Sequence, residues 1–270
     1  MAEELSRLVA LVEKLRFDCP WDREQTPETL RTYLLEECHE VLDAIDAKDP
    51  ESLAGELGDL LFQVFFLSRI GEERGWFDIR GVADRIGRKM TERHPHVFGG
   101  PAAADAAAVK RGWERSKQQA SGAADPLGTI PRSLPALASA YRMTSRAADL
   151  GFDWERDSDV AAKIEEELGE WRAASQAEDR DAEEHEIGDL LFSIVNLARR
   201  RGLDPEAALR KTQARFKKRF ARVAELARQS GREVGDVGAA ELDRFWEEAK
   251  AEERSGIGIA TRGESSPERG

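Results

Sequence analysis

Two acidic strings carry the chemistry this sequence can support. The first is Glu36-Glu37-Cys38-His39-Glu40, followed by Glu56-Leu57-Gly58-Asp59. On an α-helix, which turns about 100° per residue, Glu36, Glu37 and Glu40 share a face, and so do Glu56 and Asp59. Between them, Asp49-Pro50-Glu51 supplies an N-cap, a proline for the first helical position and an acid for the first turn. One helix therefore ends near Ala47 and another begins at Pro50. From Glu40 to that end the chain rises roughly 10 Å, and from Pro50 to Glu56 it returns by roughly 9 Å. The acids thus meet at one level of a helical hairpin. Five facing carboxylates repel without a counter-charge, and all-oxygen donors suit a hard cation, Mg²⁺ or Mn²⁺.

The competing reading is a solvated acidic face, which a chain with 53 acidic against 41 basic residues could produce by chance. Repetition argues against it. The acids of the first string recur as Glu166, Glu167 and Glu170, and those of the second as Glu186 and Asp189, each displaced by 130 residues. The string Gly-Asp-Leu-Leu-Phe recurs with them.

The elements that position these acids follow from apolar periodicity. Residues 3–17 carry Leu5, Leu8, Val9, Leu11, Val12 and Leu15 at helical spacing. Cys19-Pro20-Trp21-Asp22 breaks that helix, with Trp21 read as packing at the corner rather than as lining a base pocket. The returning helix, from Pro50 to about Arg74, is apolar over a face wide enough for a bundle core or a dimer seam. A helix near Ile79 to Arg93 bears Arg88, Lys89 and Arg93, and a last one, Ala103 to Gln119, carries Trp113 and Lys117. The second half runs the same course. Its first helix closes at Gly151-Phe152-Asp153-Trp154, Arg210, Lys211 and Arg215 repeat the basic spacing, and Trp246 and Lys250 lie on a final helix from Glu241 to Glu253. Strand signals are almost absent. The expected fold is all-α, with an N-terminal helical domain over 1–120, a linker over 121–130, a C-terminal helical domain over 131–254 and a disordered tail over 255–270.

A net charge of −12 over 270 residues argues against binding polymeric nucleic acid. It leaves open a single nucleotide held through a metal. Cys19 and Cys38 form neither a metal spacing nor a disulfide framework. No basic-then-apolar leader is visible, and the apolar run from Leu60 to Leu67 is too short to span a bilayer. The expected location is cytoplasmic, with no membrane partner.

Acids for a metal, a separate basic set and a tryptophan are the parts that phosphoryl chemistry uses together. No Gly-rich Walker loop is present. The E-E-x-x-E and E-x-x-D strings, the Cys-Pro-Trp-Asp corner, the Arg93-His94-Pro95-His96-Val97-Phe98-Gly99 string and the tandem duplication resemble the MazG family of nucleoside triphosphate pyrophosphohydrolases. The resemblance runs from about residue 5 to residue 253. It implies the all-α NTP pyrophosphatase fold, bundles completed by homodimerisation, and Mg²⁺-dependent cleavage of an NTP to NMP and diphosphate. Carried over by motif, the metal ligands would be Glu37, Glu40, Glu56 and Asp59 in the first copy and Glu167, Glu170, Glu186 and Asp189 in the second. The nucleotide-holding residues would be Lys211, Arg215, Trp246 and Lys250, with Lys89, Arg93, Trp113 and Lys117 as first-copy equivalents. Glu36 and Glu166 would orient or deprotonate the attacking water.

Two rivals come from other classes. Glu36-x-x-His39 has the spacing of a di-iron carboxylate bundle, but the position equivalent to His39 in the second copy is Gly169. A non-catalytic helical nucleotide-sensing or protein-binding module predicts no turnover and no metal-dependent stability.

Overall fold

A computed structural model describes residues 2–102, 105, 109, 112–113 and 125–255. The expected helix over 103–119 and the tail beyond Ser255 fall largely or wholly outside these, as does Lys117. Among the described residues every regular element is helical. The chain divides into two compact units, Met1–Ser116 and Lys117–Gly270.

The first unit contains α1 (Ala2–Asp18), α2 (Pro20–Glu24), α3 (Leu30–Ala47), α4 (Pro50–Glu73) and α5 (Ile79–Arg93). The Cys-Pro-Trp-Asp corner is not merely a break. With Pro20 at the first helical position it starts the short helix α2, as a pre-set φ without an N–H allows. The indole of Trp21 stays half exposed, edge-on to Tyr33 with ring centroids 5.6 Å apart. Helices α3 and α4 form the hairpin, and α1 packs across α4. Val12, Leu30, Phe65, Phe66 and Ile70 make the core, with Leu8, Val9, Phe62 and Ile79 against it. Arg16 fastens α1 to the end of α4 through Glu73, at 3.0 Å.

The second unit contains α6 (Ala136–Asp149), α7 (Asp157–Gln176), α8 (Arg180–Arg200), α9 (Pro205–Gln229), a single 3₁₀ turn (Val234–Asp236) and α10 (Ala239–Arg254). Here α7 and α8 are the hairpin, with α6 across α8. Val160 and Val195 are fully buried. A separate cluster of Val223, Leu226, Ala227, Val237 and Phe245 holds α9, the 3₁₀ turn and α10 together.

Both hairpins turn in the same way. Lys48 and Glu178 adopt left-handed backbone, φ 57° and 56°, although neither is glycine. Asp49 N–H then donates to Ala44 O and Lys48 N–H to Ile45 O; Asp179 N–H donates to Ala174 O and Glu178 N–H to Ser175 O. This pattern satisfies the last carbonyls of each first helix. The next residue caps the second helix: Asp49 accepts from Glu51 and Ser52 N–H, and Asp179 accepts from Ala182 N–H. The turn is tight, so the acids of each hairpin are held in register.

Candidate functional site

In each hairpin three acids converge. Glu37 on α3 meets Glu56 and Asp59 on α4, and Glu167 on α7 meets Glu186 and Asp189 on α8. In each trio one carboxylate oxygen per residue lies within 4.8 Å of the others. Glu40 and Glu170 stand at the margin of these trios. Glu40 shares a hydrogen bond with Glu37, and the charge of Glu170 acts on Glu186. Glu36 and Glu166 lie on the exposed side of their helices.

Crowding shows in the proton affinities. Burial pushes the Glu37 carboxyl up, and the charges of Asp59, Glu40 and Glu56 push it further. Glu186 is raised by desolvation and by Glu170 and Glu167, with His185 opposing. Carboxylates so placed hold a proton more tightly until a cation replaces it. Three clustered carboxylates offering only oxygen suit an octahedral Mg²⁺, whose remaining positions stay with water or phosphate.

The two trios differ in their surroundings. Glu167 is only 4% exposed, and Lys163, one turn before it, reaches both Glu167 and Glu166 at 2.8 Å. Those two carboxylates raise the lysine's proton affinity. The Lys163 position corresponds to Tyr33 in the first copy. His185 Nε2 lies 3.2 Å from Asp189, where the first copy has Gly55.

Beside Glu167 and Asp189 opens a cleft of about 890 Å³. Met143, Phe152, Trp154 and Phe192 give it apolar and aromatic walls, while Thr144 and Asn196 add polar points. Most ligand clefts combine such walls with a few placed polar groups. Its rim is fixed by an ion-pair network: Arg199 reaches Asp153 at 2.5 Å, and Arg200 reaches Asp153 at 3.3 Å and Asp157 at 2.9 Å. At the position of Asn196 the first copy carries Phe66, 1% exposed within its core.

The basic residues expected to hold nucleotide do not line this cleft. Lys211 and Arg215 are on the exposed side of α9, with Arg215 donating to Thr212 Oγ1 at 2.9 Å. Trp246 packs on the α9–α10 cluster with its ring 5.2 Å from that of Phe216, and Lys250 pairs with Glu247 at 2.6 Å. In the first unit Lys89 is exposed, and the Arg93 guanidinium lies 5.2 Å from the centre of the Trp113 ring.

Sequence reasoning passes over Lys163, Thr144, Asn196 and the Asp153–Arg199 pair. Lys163 is detectable, because a lysine three and four residues before two glutamates on a helix reaches both. Asn196 is detectable only as a polar residue where the other copy has phenylalanine.

Comparison with known proteins adds two family matches. Residues 25–98 match the MazG nucleotide pyrophosphohydrolase domain, and residues 143–216 match phosphoribosyl-ATP pyrophosphohydrolase. The nucleoside triphosphate pyrophosphohydrolase/pyrophosphatase MazG of Thermotoga maritima is 43% identical over 248 residues, covering 90% of this chain and 94% of its own. The nucleoside triphosphate pyrophosphohydrolase of Escherichia coli K12 is 40% identical over 260 residues, covering 93% and 98%. That of Mycolicibacterium smegmatis is 38% identical over 154 residues, covering 55% and 47%.

Proposed function

The chain belongs to the MazG family of nucleotide pyrophosphohydrolases, and on that premise we propose that its second copy cleaves a nucleoside triphosphate between the α and β phosphates, releasing NMP and diphosphate. The observation that carries the assignment to the second copy is the aromatic-walled cleft opening directly beside Glu167 and Asp189. Glu167, Glu170, Glu186 and Asp189 would hold Mg²⁺, or Mn²⁺ in its place. When bound, the cation offsets phosphate charge and polarises the phosphate oxygens.

The chain's own groups supply the rest. The apolar walls take the nucleoside and exclude water from it. Lys163, already beside Glu166 and Glu167, offers its ammonium to the phosphates nearest the acids. Glu166 is exposed and shares Lys163 with Glu167, and it serves as the group that orients or deprotonates the attacking water. Glu36 is its first-copy counterpart. Lys211, Arg215, Trp246 and Lys250 hold the outer part of the nucleotide. The first copy, with Glu37, Glu40, Glu56 and Asp59 as its ligands and Lys89, Arg93, Trp113 and Lys117 as the equivalent set, binds the cation in a structural or regulatory role.

A homodimer suits the apolar side chains left on the hairpins. Leu57, Leu61 and Val64 on α4 and Ile187, Leu191 and Ile194 on α8 recur at the same offset and are all 36% to 50% exposed. Each set lies at i, i+4 and i+7, one face of its helix. No described helix is long and apolar enough to cross a membrane. Cys19 and Cys38 are both free thiols, which suits a reducing cytoplasm.

The test is incubation of the full chain with Mg²⁺ and a panel of ordinary NTPs, modified NTPs and phosphoribosyl-ATP, resolving NMP, NDP, diphosphate and orthophosphate. NMP with equimolar diphosphate, lost in Asp189→Asn and kept in Asp59→Asn, is the expected result. Loss confined to Asp59→Asn would move the activity to the first copy, and NDP with orthophosphate would refute the α–β cleavage.

A further inference from the structure

We propose that Asn196 reads the nucleobase, its side-chain N–H groups donating to an acceptor on the edge of a base seated in the cleft, with Thr144 as a second polar point on that edge. The proposal rests on the nucleotide reading of the cleft and deepens it.

Placement comes first. Asn196 follows Asp189 by two turns on α8, so both side chains line the same cleft. The rise between them is about 10 Å. That span leaves room for a sugar between a phosphate at the acids and a base edge at Asn196. Met143, Phe152, Trp154 and Phe192 supply flat or pliable apolar surface for the ring faces.

The orientation of the amide is fixed by its neighbours. Asn196 Oδ1 accepts from Arg199 Nε at 2.9 Å and Nη2 at 2.8 Å. A guanidinium has donors only, so the oxygen must face it and the NH₂ must face away. Arg199 is itself anchored on Asp153, another residue of the cleft. Asn196 is 9% exposed, and no hydrogen-bond partner occupies its Nδ2 among the described residues. Thr144, 7% exposed, donates its hydroxyl proton to Ala140 O at 2.9 Å, which leaves the oxygen lone pairs for an incoming donor. The cleft therefore presents one committed donor and one committed acceptor. A buried amide held at this orientation is costly to leave unpaired when the wrong edge enters. The first copy has no counterpart, since Phe66 stands at the Asn196 position.

Asn196→Asp tests this with little change of volume. The carboxylate keeps its contact with Arg199 and turns an oxygen, not an NH₂, toward the cleft. Steady-state kinetics of the full chain with ATP, GTP, CTP and UTP should show a changed order of preference, with KM for the best substrate raised tenfold or more and kcat altered less than threefold. Thr144→Val, checked for an unchanged melting profile, should also alter the order. If both variants keep the wild-type order, with kcat/KM falling by one common factor or not at all, the base-reading role is overturned. Equilibrium binding of the four α,β-methylene NTP analogues separates this from the hydrolase reading. Wild-type binding with base preference that Asn196→Asp changes supports the proposal even where turnover fails, and binding without any base preference overturns it.

Discussion

Replacing Asp189 by asparagine should stabilise the metal-free protein and destabilise the metal-bound one. The background for the experiment is Asp59→Asn, so that any metal effect belongs to the second hairpin. One carboxylate oxygen of Asp189 lies within 4.8 Å of oxygens from both Glu167 and Glu186. Two unit charges at that distance repel by about 3.5 kcal/mol at an effective dielectric of 20 and by about 0.9 kcal/mol in water. The Asp189 side chain is 48% exposed, which places the repulsion nearer the aqueous end, about 1 kcal/mol from each neighbour. Losing the contact with an exposed His185 subtracts little. The expected gain of about 1 to 2 kcal/mol corresponds to a rise in Tm of about 2 to 8 °C without metal. With Mg²⁺ at a hundred times its Kd the parent gains about 2.7 kcal/mol and the variant only a small part of it, so the order reverses. Calorimetric melts in EDTA and in Mg²⁺ read both signs. Proton linkage gives a second check. Because the folded Glu186 carboxyl is raised, its contribution is present below the unfolded value and lost as pH rises through the folded one. The metal-free parent should therefore lose stability as pH climbs out of the carboxylate range, and the variant should do the same, since burial, Glu170 and Glu167 raise Glu186 and all three remain. A variant that melts below its parent in EDTA, or an equal rise with Mg²⁺ in both, would refute the reasoning.

Burial pushes the Asp153 carboxyl up, but hydrogen bonds from Arg199 and from Trp154 N–H bring it below its ordinary value. Its stabilisation is therefore present above the ordinary value and lost as pH falls through the folded one, so Asp153→Asn should cost about 1.5 kcal/mol at pH 7 and much less near pH 2, measured by urea titration. Glu178→Gly should raise stability by about 0.5 to 1 kcal/mol in the same assay, because glycine takes the left-handed conformation at φ 56° without strain. Leu61→Glu together with Leu191→Glu should convert a dimer to monomer in sedimentation velocity, since each puts a charge in the middle of an exposed apolar row. Gln63→Met should be stabilising by about 1 kcal/mol, as Gln63 Oε1 is buried with no partner among the described residues.

The helical hairpins are legible in the sequence because they depend on local rules. Asp49-Pro50 announces its helix start, and Ile79–Arg93 has the bounds its periodicity gives. The convergence of Glu37 with Glu56 and Asp59 follows from rise per residue and a short turn, both readable without tertiary information. The corner at Cys19 reads as a break, yet five residues there complete a helix, because a proline that stops one helix also starts the next. The orientation of Asn196 is illegible for a different reason. The residue falls in an apolar run, and only a guanidinium from the next turn and an aspartate from a distant loop decide which way its amide faces. Spacing shows which acids share a helix face, whereas the cleft depends on how α6 and the Phe152–Trp154 loop lie across α8.

The tight Asp-capped turn between α3 and α4 also bears on synthesis. Every acid of the first trio lies between Glu37 and Asp59, on two helices joined by Lys48 and Asp49 alone. Such a hairpin has low contact order and can close while the rest of the chain is still being translated. The three carboxylates of the first trio are then brought together before α8 has been made, so their mutual repulsion is met early in synthesis, by a hairpin that has only its own turn and helix contacts to hold it.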